Sequence, residues 1–141
     1  MPSKYLEALS KPGQGVNPLF GFLGVVPVHV DASRAVLELP LRPEFIQGAG
    51  VVAGGVLATL ADEAMAHLVL ANLAEGERTA TIEMSVRYFR PVLGAGALRA
   101  EASLVSRGRR IVGVEAGVTD SEGRLAAKAS ASFFILEAKP A

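Results

Sequence analysis

The sequence predicts an α+β domain in which an antiparallel β-sheet wraps around one long central helix. Three features lead there. A nearly all-apolar run over 54–73 has helical length, two strand-like runs precede it, and four more follow it on tight turns. Strands segregated from a single helix and joined by hairpin-type connections build an antiparallel sheet.

Taken in order, SKYLEAL (3–9) has the spacing of a short amphipathic helix that KPGQG ends. FLGVVPVHVD (22–31) and RAVLELPLR (34–42) read as strands around the turn DASR. In the second, Leu37, Leu39 and Leu41 face one way and Val36, Glu38 and Pro40 the other. Pro27 and Pro40 lack a ladder donor, which puts parts of these strands at an edge or bulge. A loop over 43–53 leads into the helix. Strand-like runs follow at 79–90, 97–106, 111–119 and 124–136, with LGAG, SRGRR and DSEGR as turns. In the first of these, Ile82, Met84, Val86 and Tyr88 alternate with Thr81, Glu83, Ser85 and Arg87. The helix is apolar nearly all round, so it must be buried on more than one side, by the curling sheet and by a partner chain.

A chain of 141 residues predicts one folding unit, divided as an N-terminal segment with a short helix (1–17) and the main domain (18–141). Acidic and basic residues balance at 14 each. That balance argues against nucleic-acid partners and anionic membranes, which need clustered basic excess. There is no cysteine, hence no disulfide framework, thiol nucleophile or Cys-based metal site. MPSKYLEALSKPGQG lacks the apolar core of a signal peptide. The run 51–73 is apolar enough to suggest a membrane span, but Asp62 and Glu63 fall at its centre, where a lipid-facing acid costs about 3 kcal/mol. A cytoplasmic protein with no membrane partner is expected.

Candidate chemistry centres on the helix. Gly54 and Gly55 at its start leave N–H groups without intrahelical acceptors at the positive end of the macrodipole. Such groups attract an anion or a developing oxyanion, and missing side chains admit a ligand; tight packing against the sheet would explain the glycines equally well. No GK[ST] follows, so this is not a phosphate loop. Asp62 has Ala58, Ala66 and Val69 as same-side neighbours. A carboxylate so placed is a candidate general base or nucleophile, against the simpler reading of an exposed stripe or an arginine pair. Glu63 reads as a solvated or paired neighbour.

Eight residues of helix rise about 12 Å, so Gly54 and Asp62 of one chain cannot grip one carbonyl. Antiparallel helices of a two-fold dimer would bring Asp62 of one chain beside Gly54 of the other. His67 stands roughly 140° round the helix from Asp62 and reads as a satisfied interior or interface histidine. His29 reads as a surface residue. Two isolated histidines make no metal site, and no GxSxG elbow marks a serine nucleophile. Arg107, Arg109 and Arg110 crowd one turn, either as a solvated tip or as a holder of phosphates.

From about residue 18 to 136 the chain resembles the hotdog-fold acyl-CoA thioesterases, specifically the phenylacetate-pathway and 4-hydroxybenzoyl-CoA thioesterase group. The resemblance rests on 47–65, on TIEMSVRYFRPV, and on the GR…D..G.L.A pattern of the last strands. Where many relatives read Asn-x-x-Gly-x-x-His-Gly-Gly and then an acid nine residues past the His, this chain has Gln47, Gly50, Ala53, Gly54, Gly55 and Asp62. Gln47 keeps an amide donor. Ala53 removes the family imidazole, which makes the dehydratases of this fold a poorer match and motivates a second reading, a non-catalytic acyl-CoA binding or sensing protein.

The resemblance implies hydrolysis of a small or aromatic acyl-CoA with no cofactor and no metal. The Gly54 N–H and Gln47 amide would polarise the thioester carbonyl, with Gly55 beside it. Asp62 of the facing subunit would attack it or activate water, with Thr81 orienting water or substrate. CoA would run past Arg90, Pro91 and the 106–110 turn with Arg107, Gly108, Arg109 and Arg110. A homodimer with interfacial sites, paired into a tetramer, is the implied assembly.

Overall fold

The structure, a computed structural model, describes residues 3–137. Three helices, α1 (Ser3–Leu9), α2 (Pro18–Leu23) and α3 (Gly54–Leu70), combine with six strands: β1 (Val26–Val30), β2 (Arg34–Pro40), β3 (Arg78–Tyr88), β4 (Ala97–Arg107), β5 (Ile111–Thr119) and β6 (Leu125–Leu136). The strands form one sheet in the order β1-β2-β4-β5-β6-β3, with every neighbouring pair antiparallel. The sheet curls around α3, which is the expected hotdog arrangement. None of the described helices is long and apolar enough to cross a membrane.

The core explains why so many alanines occupy strands, where alanine is otherwise disfavoured. Ala35, Ala100, Ala102, Ala116, Ala127, Ala129 and Ala131 are buried on the concave face. Their small side chains let α3 settle into the sheet. Its Leu57, Leu60, Ala64, Met65 and Leu68 then pack with Leu37, Leu39, Leu98, Phe133 and Ile135 in one apolar cluster. Each large side chain so buried contributes about 1.5–3 kcal/mol. The sheet covers most of the helix by itself. What it leaves half-buried is the stripe Ala58, Thr59, Asp62, Glu63 and Ala66.

Two features differ from the sequence reading. The strand expected from residue 22 begins at Val26, because 18–23 form α2. The Asn17 side chain accepts the Phe20 N–H, Pro18 stands at the helix start, and Gly24 closes the helix in the left-handed region at φ 85°. Local capping chemistry overrides the apolar run there.

The other is a bulge in β3, where Thr81 pairs with Phe133 but Glu83 pairs with Ser132. The extra residue, Ile82, reverses the alternation. Strict alternation would put Thr81 on the opposite face from Met84, Val86 and Tyr88. The bulge puts all four on the face toward α3 and leaves Ile82 52 % exposed. Pro27 behaves as expected: β1 is an edge strand with an irregularity between Pro27 and His29.

α1 is part of the packed body. Leu9 is buried, and the Tyr5 hydroxyl lies 2.8 Å from His67 Nε2. Of the two expected chain divisions, residues 1–2 and 138–141 lie outside the described residues.

Candidate active site

Asp62 and Thr81 meet across the α3–β3 contact, with the Thr81 hydroxyl donating to Asp62 Oδ1 at 3.3 Å. The bulge makes this possible. Among the described residues no arginine or lysine forms a salt bridge with Asp62 or Glu63. Asp62 is therefore neither on a fully exposed stripe nor in an arginine pair. Burial pushes its carboxyl above the usual range, and the Thr81 bond opposes that shift. Glu63 is also raised, first by burial and then by the charge of Asp62.

His67 sits beyond both acids and is 2 % exposed. Its Nδ1 lies 2.7 Å from the Glu63 carbonyl and can only donate to it. That leaves Nε2 to accept from Tyr5, whose oxygen in turn accepts from Asn17 Nδ2. Burial lowers the imidazole pKa, so the ring is a neutral structural link between α1, α2 and α3. His29 is on the surface with Asp31, as expected.

The start of α3 is pinned by its loop. Val52 N–H reaches Val92 O, and Ala53 N–H reaches Phe45 O. Ala53 is the N-cap and supplies no side-chain bond. Among the described backbone bonds, the Gly54 and Gly55 N–H groups have no acceptor outside the helix, and at its first turn they can have none within it. Both glycines are exposed, and a Cβ added at Gly55 would meet open space.

Gln47 lies in the same loop. Its Oε1 accepts the Ala49 N–H, so the free end of its amide is the NH₂ donor. The loop turns at Gly50, whose φ of 85° favours glycine, with its N–H on Gln47 O.

The arginines divide into two groups. Arg90 donates to Leu125 O and, with Pro91, Ser121 and Arg124, lines a surface cleft of about 390 Å³. Arg107 donates to Asn72 O beyond the far end of α3, and Arg110 pairs with Glu137. The nine residues of β5 separate these ends, roughly 30 Å of extended chain. Within one chain, Arg90 and the 107–110 turn do not converge. Gly108 closes the hairpin: a Cβ there would lie 2.8 Å from Ile111 O.

The sequence reading missed Tyr88 as a site residue. Its hydroxyl donates to Gly54 O at 2.7 Å. The signal was its place on the inward face of β3 beside Met84 and Val86.

Residues 49–127 match the family model of the Thioesterase superfamily. The match spans more than half of the chain and includes Gly54, Asp62, Thr81 and Tyr88. The chain belongs to the thioesterase superfamily. A candidate esterase of Saccharolobus solfataricus is 28 % identical over 98 % of this chain and 95 % of its own. A phenylacetic acid degradation-related protein of Ralstonia eutropha, described as a candidate thioesterase, is 30 % identical, with 92 % of this chain and 98 % of that chain covered at a TM-score of 0.82. A mutant phenylacetic acid degradation protein of Thermus thermophilus is 28 % identical, with 85 % and 100 % covered and a TM-score of 0.79. This thioesterase-superfamily membership supports hydrolysis of a thioester in general terms.

Proposed function

We propose that this thioesterase-superfamily protein hydrolyses a cytoplasmic acyl-CoA with a small or aromatic acyl group, using Asp62 as nucleophile or general base. One observation carries the reading. Asp62 is a half-buried carboxylate on the open stripe of α3, held by a single hydroxyl and unpaired with any cation among the described residues. A carboxylate desolvated without a compensating cation opposes folding, and active sites keep such groups because they are reactive.

The site is completed across a homodimer. Gly54 and Asp62 are eight residues apart on one helix, about 12 Å along its axis. The half-buried stripe is mostly small residues, so a second α3 can approach closely and antiparallel. The Gly54 N–H and the Gln47 NH₂ then hold the thioester oxygen, with Gly55 lining the approach. In the general-base route, Asp62 of the partner helix takes a proton from water. The water oxygen bonds to the acyl carbon, negative charge develops on the held oxygen, and the C–S bond breaks. CoA thiolate leaves and takes up a proton. In the nucleophilic route, the Asp62 oxygen forms the bond, CoA leaves, and water cleaves the resulting anhydride. Losing one preorganised oxyanion donor costs about 10²–10³ in rate.

Arg90 and Pro91 of one protomer, and Arg107, Gly108, Arg109 and Arg110 at the other end of the sheet, are the surfaces available for CoA. Their separation within a chain supports a path that draws on both protomers. Two such dimers pair into a tetramer. The reaction needs no cofactor.

Thiol release from aromatic, short and medium acyl-CoAs tests the proposal. Wild type is expected to release CoA from at least one class, and Asp62→Ala from none while remaining folded. Tight acyl-CoA binding without thiol release would instead favour a binding or sensing role, which the loss of the family imidazole at Ala53 motivates.

A further inference from the structure

The first turn of α3 lacks the usual means of staying rigid. Two consecutive glycines are the least constrained pair of residues a helix start can have. The N-cap, Ala53, offers no side-chain acceptor to hold the leading amides. An oxyanion site nevertheless requires donors that do not reorganise during the reaction.

Tyr88 supplies the missing constraint from another element. It is the last residue of β3 and 51 % exposed, and its hydroxyl donates to Gly54 O at 2.7 Å. The ring also presses on the glycine. A Cβ at Gly54 would stand 3.2 Å from Tyr88 Cζ and Oη and 3.3 Å from Cε1. Gly54 is absent from the residues with positive φ, so its backbone conformation does not demand glycine. The constraint is the closeness of Tyr88, which a Cβ here would have to push aside by a few tenths of an ångström.

The bonded carbonyl belongs to the same peptide plane as the Gly55 N–H. A donor on that carbonyl fixes the tilt of the plane and polarises its N–H, and because Gly54 Cα hinges this plane to the one that carries the Gly54 N–H, it also restrains that donor. The next plane is held similarly, since Thr59 Oγ1 donates to Gly55 O at 2.8 Å. The Thr59 bond is internal to α3, whereas the Tyr88 bond ties the helix start to the sheet.

We propose that Tyr88 is a positioning residue that clamps the Gly54–Gly55 peptide and keeps the leading amides of α3 aimed into the crevice. The inference rests on the thioester-hydrolysis reading of this site. It adds a residue that touches neither the reacting carbonyl nor Asp62 and acts through the glycine backbone.

Tyr88→Phe removes the hydroxyl and keeps the ring. The expected result is a fall in kcat of roughly five- to tenfold, the worth of one hydrogen bond, with KM within about twofold. The Gly54 and Gly55 amide resonances are expected to move while Tm barely changes. Unchanged kcat overturns the inference, as does a loss of rate accompanied by equal changes in KM and Tm. Asp62→Ala, assayed on the same acyl-CoA, separates the two levels of the account. If it hydrolyses normally, the site reading fails, and the amide resonances alone then decide on Tyr88. Resonances that stay put in Tyr88→Phe overturn the clamp whatever the rate.

Discussion

Asp62 carries opposing demands that its environment makes measurable. Burial raises its carboxyl pKa, and the Thr81 hydroxyl, bonding the ionised form, lowers it. Thr81→Ala removes the lowering contribution, so the acid limb of the pH–rate profile is expected to move to higher pH. Thr81→Ser is expected to leave it in place. An unmoved limb in Thr81→Ala would show that Asp62 is not the titrating group. The same burial affects stability. A carboxyl whose folded pKa lies above its unfolded value of about 3.9 favours folding at low pH and loses that contribution as pH rises through the folded pKa. As Asp62 ionises in its desolvated position it opposes folding, and Asp62→Asn relieves this. That variant is expected to hold or raise Tm at pH 7, to lose the advantage below about pH 4, and to have no turnover. Calorimetry at the two pH values beside a thiol-release assay checks both halves; a clear loss of Tm at pH 7 would contradict the assignment of strain to this carboxylate.

At the scale of elements, periodicity and turn chemistry made α1, α3 and all six strands legible to within a few residues. The failures are local. α2 was hidden because 22–31 reads as one apolar run, although Asn17, Pro18 and Gly24 spell its caps. The bulge at Ile82 is invisible to an alternating pattern, because an inserted residue leaves every side-chain type in place and changes only which face follows. Gly54 and Asp62 were legible as candidates because glycine pairs and a desolvated acid are chemical anomalies in the sequence. Tyr88 was not, because its role depends on where the end of β3 falls against the start of α3. His67 was read correctly as a satisfied interior residue, while its partner Tyr5 and the Asn17 that donates to Tyr5 lie 62 and 50 positions from it and could not be read. Tyr5→Phe leaves the buried Nε2 without its donor and is expected to cost about 1 kcal/mol in chemical denaturation with kcat unchanged. A strong loss of kcat at full stability would place this network in the reaction.

For the whole molecule, the decisive claim is that the site is shared between two chains. Variants that each disable one half can be mixed to test it. Asp62→Ala removes the acid. Gly54→Pro removes the N–H at the first helical position, where proline fits. Ala53, at φ −59° and ψ 134°, already has the extended conformation required before proline. The Tyr88 ring must give by a few tenths of an ångström, which an exposed side chain allows. Each homodimer is expected to be inactive, with a defect in every site. After the two are unfolded together and refolded at equal concentrations, half of the dimers are mixed, and each mixed dimer holds one doubly defective site and one intact site. The thiol-release rate is then predicted to recover to about one quarter of wild type. Mixed dimers verified by differential tagging that show no recovery would contradict the shared site.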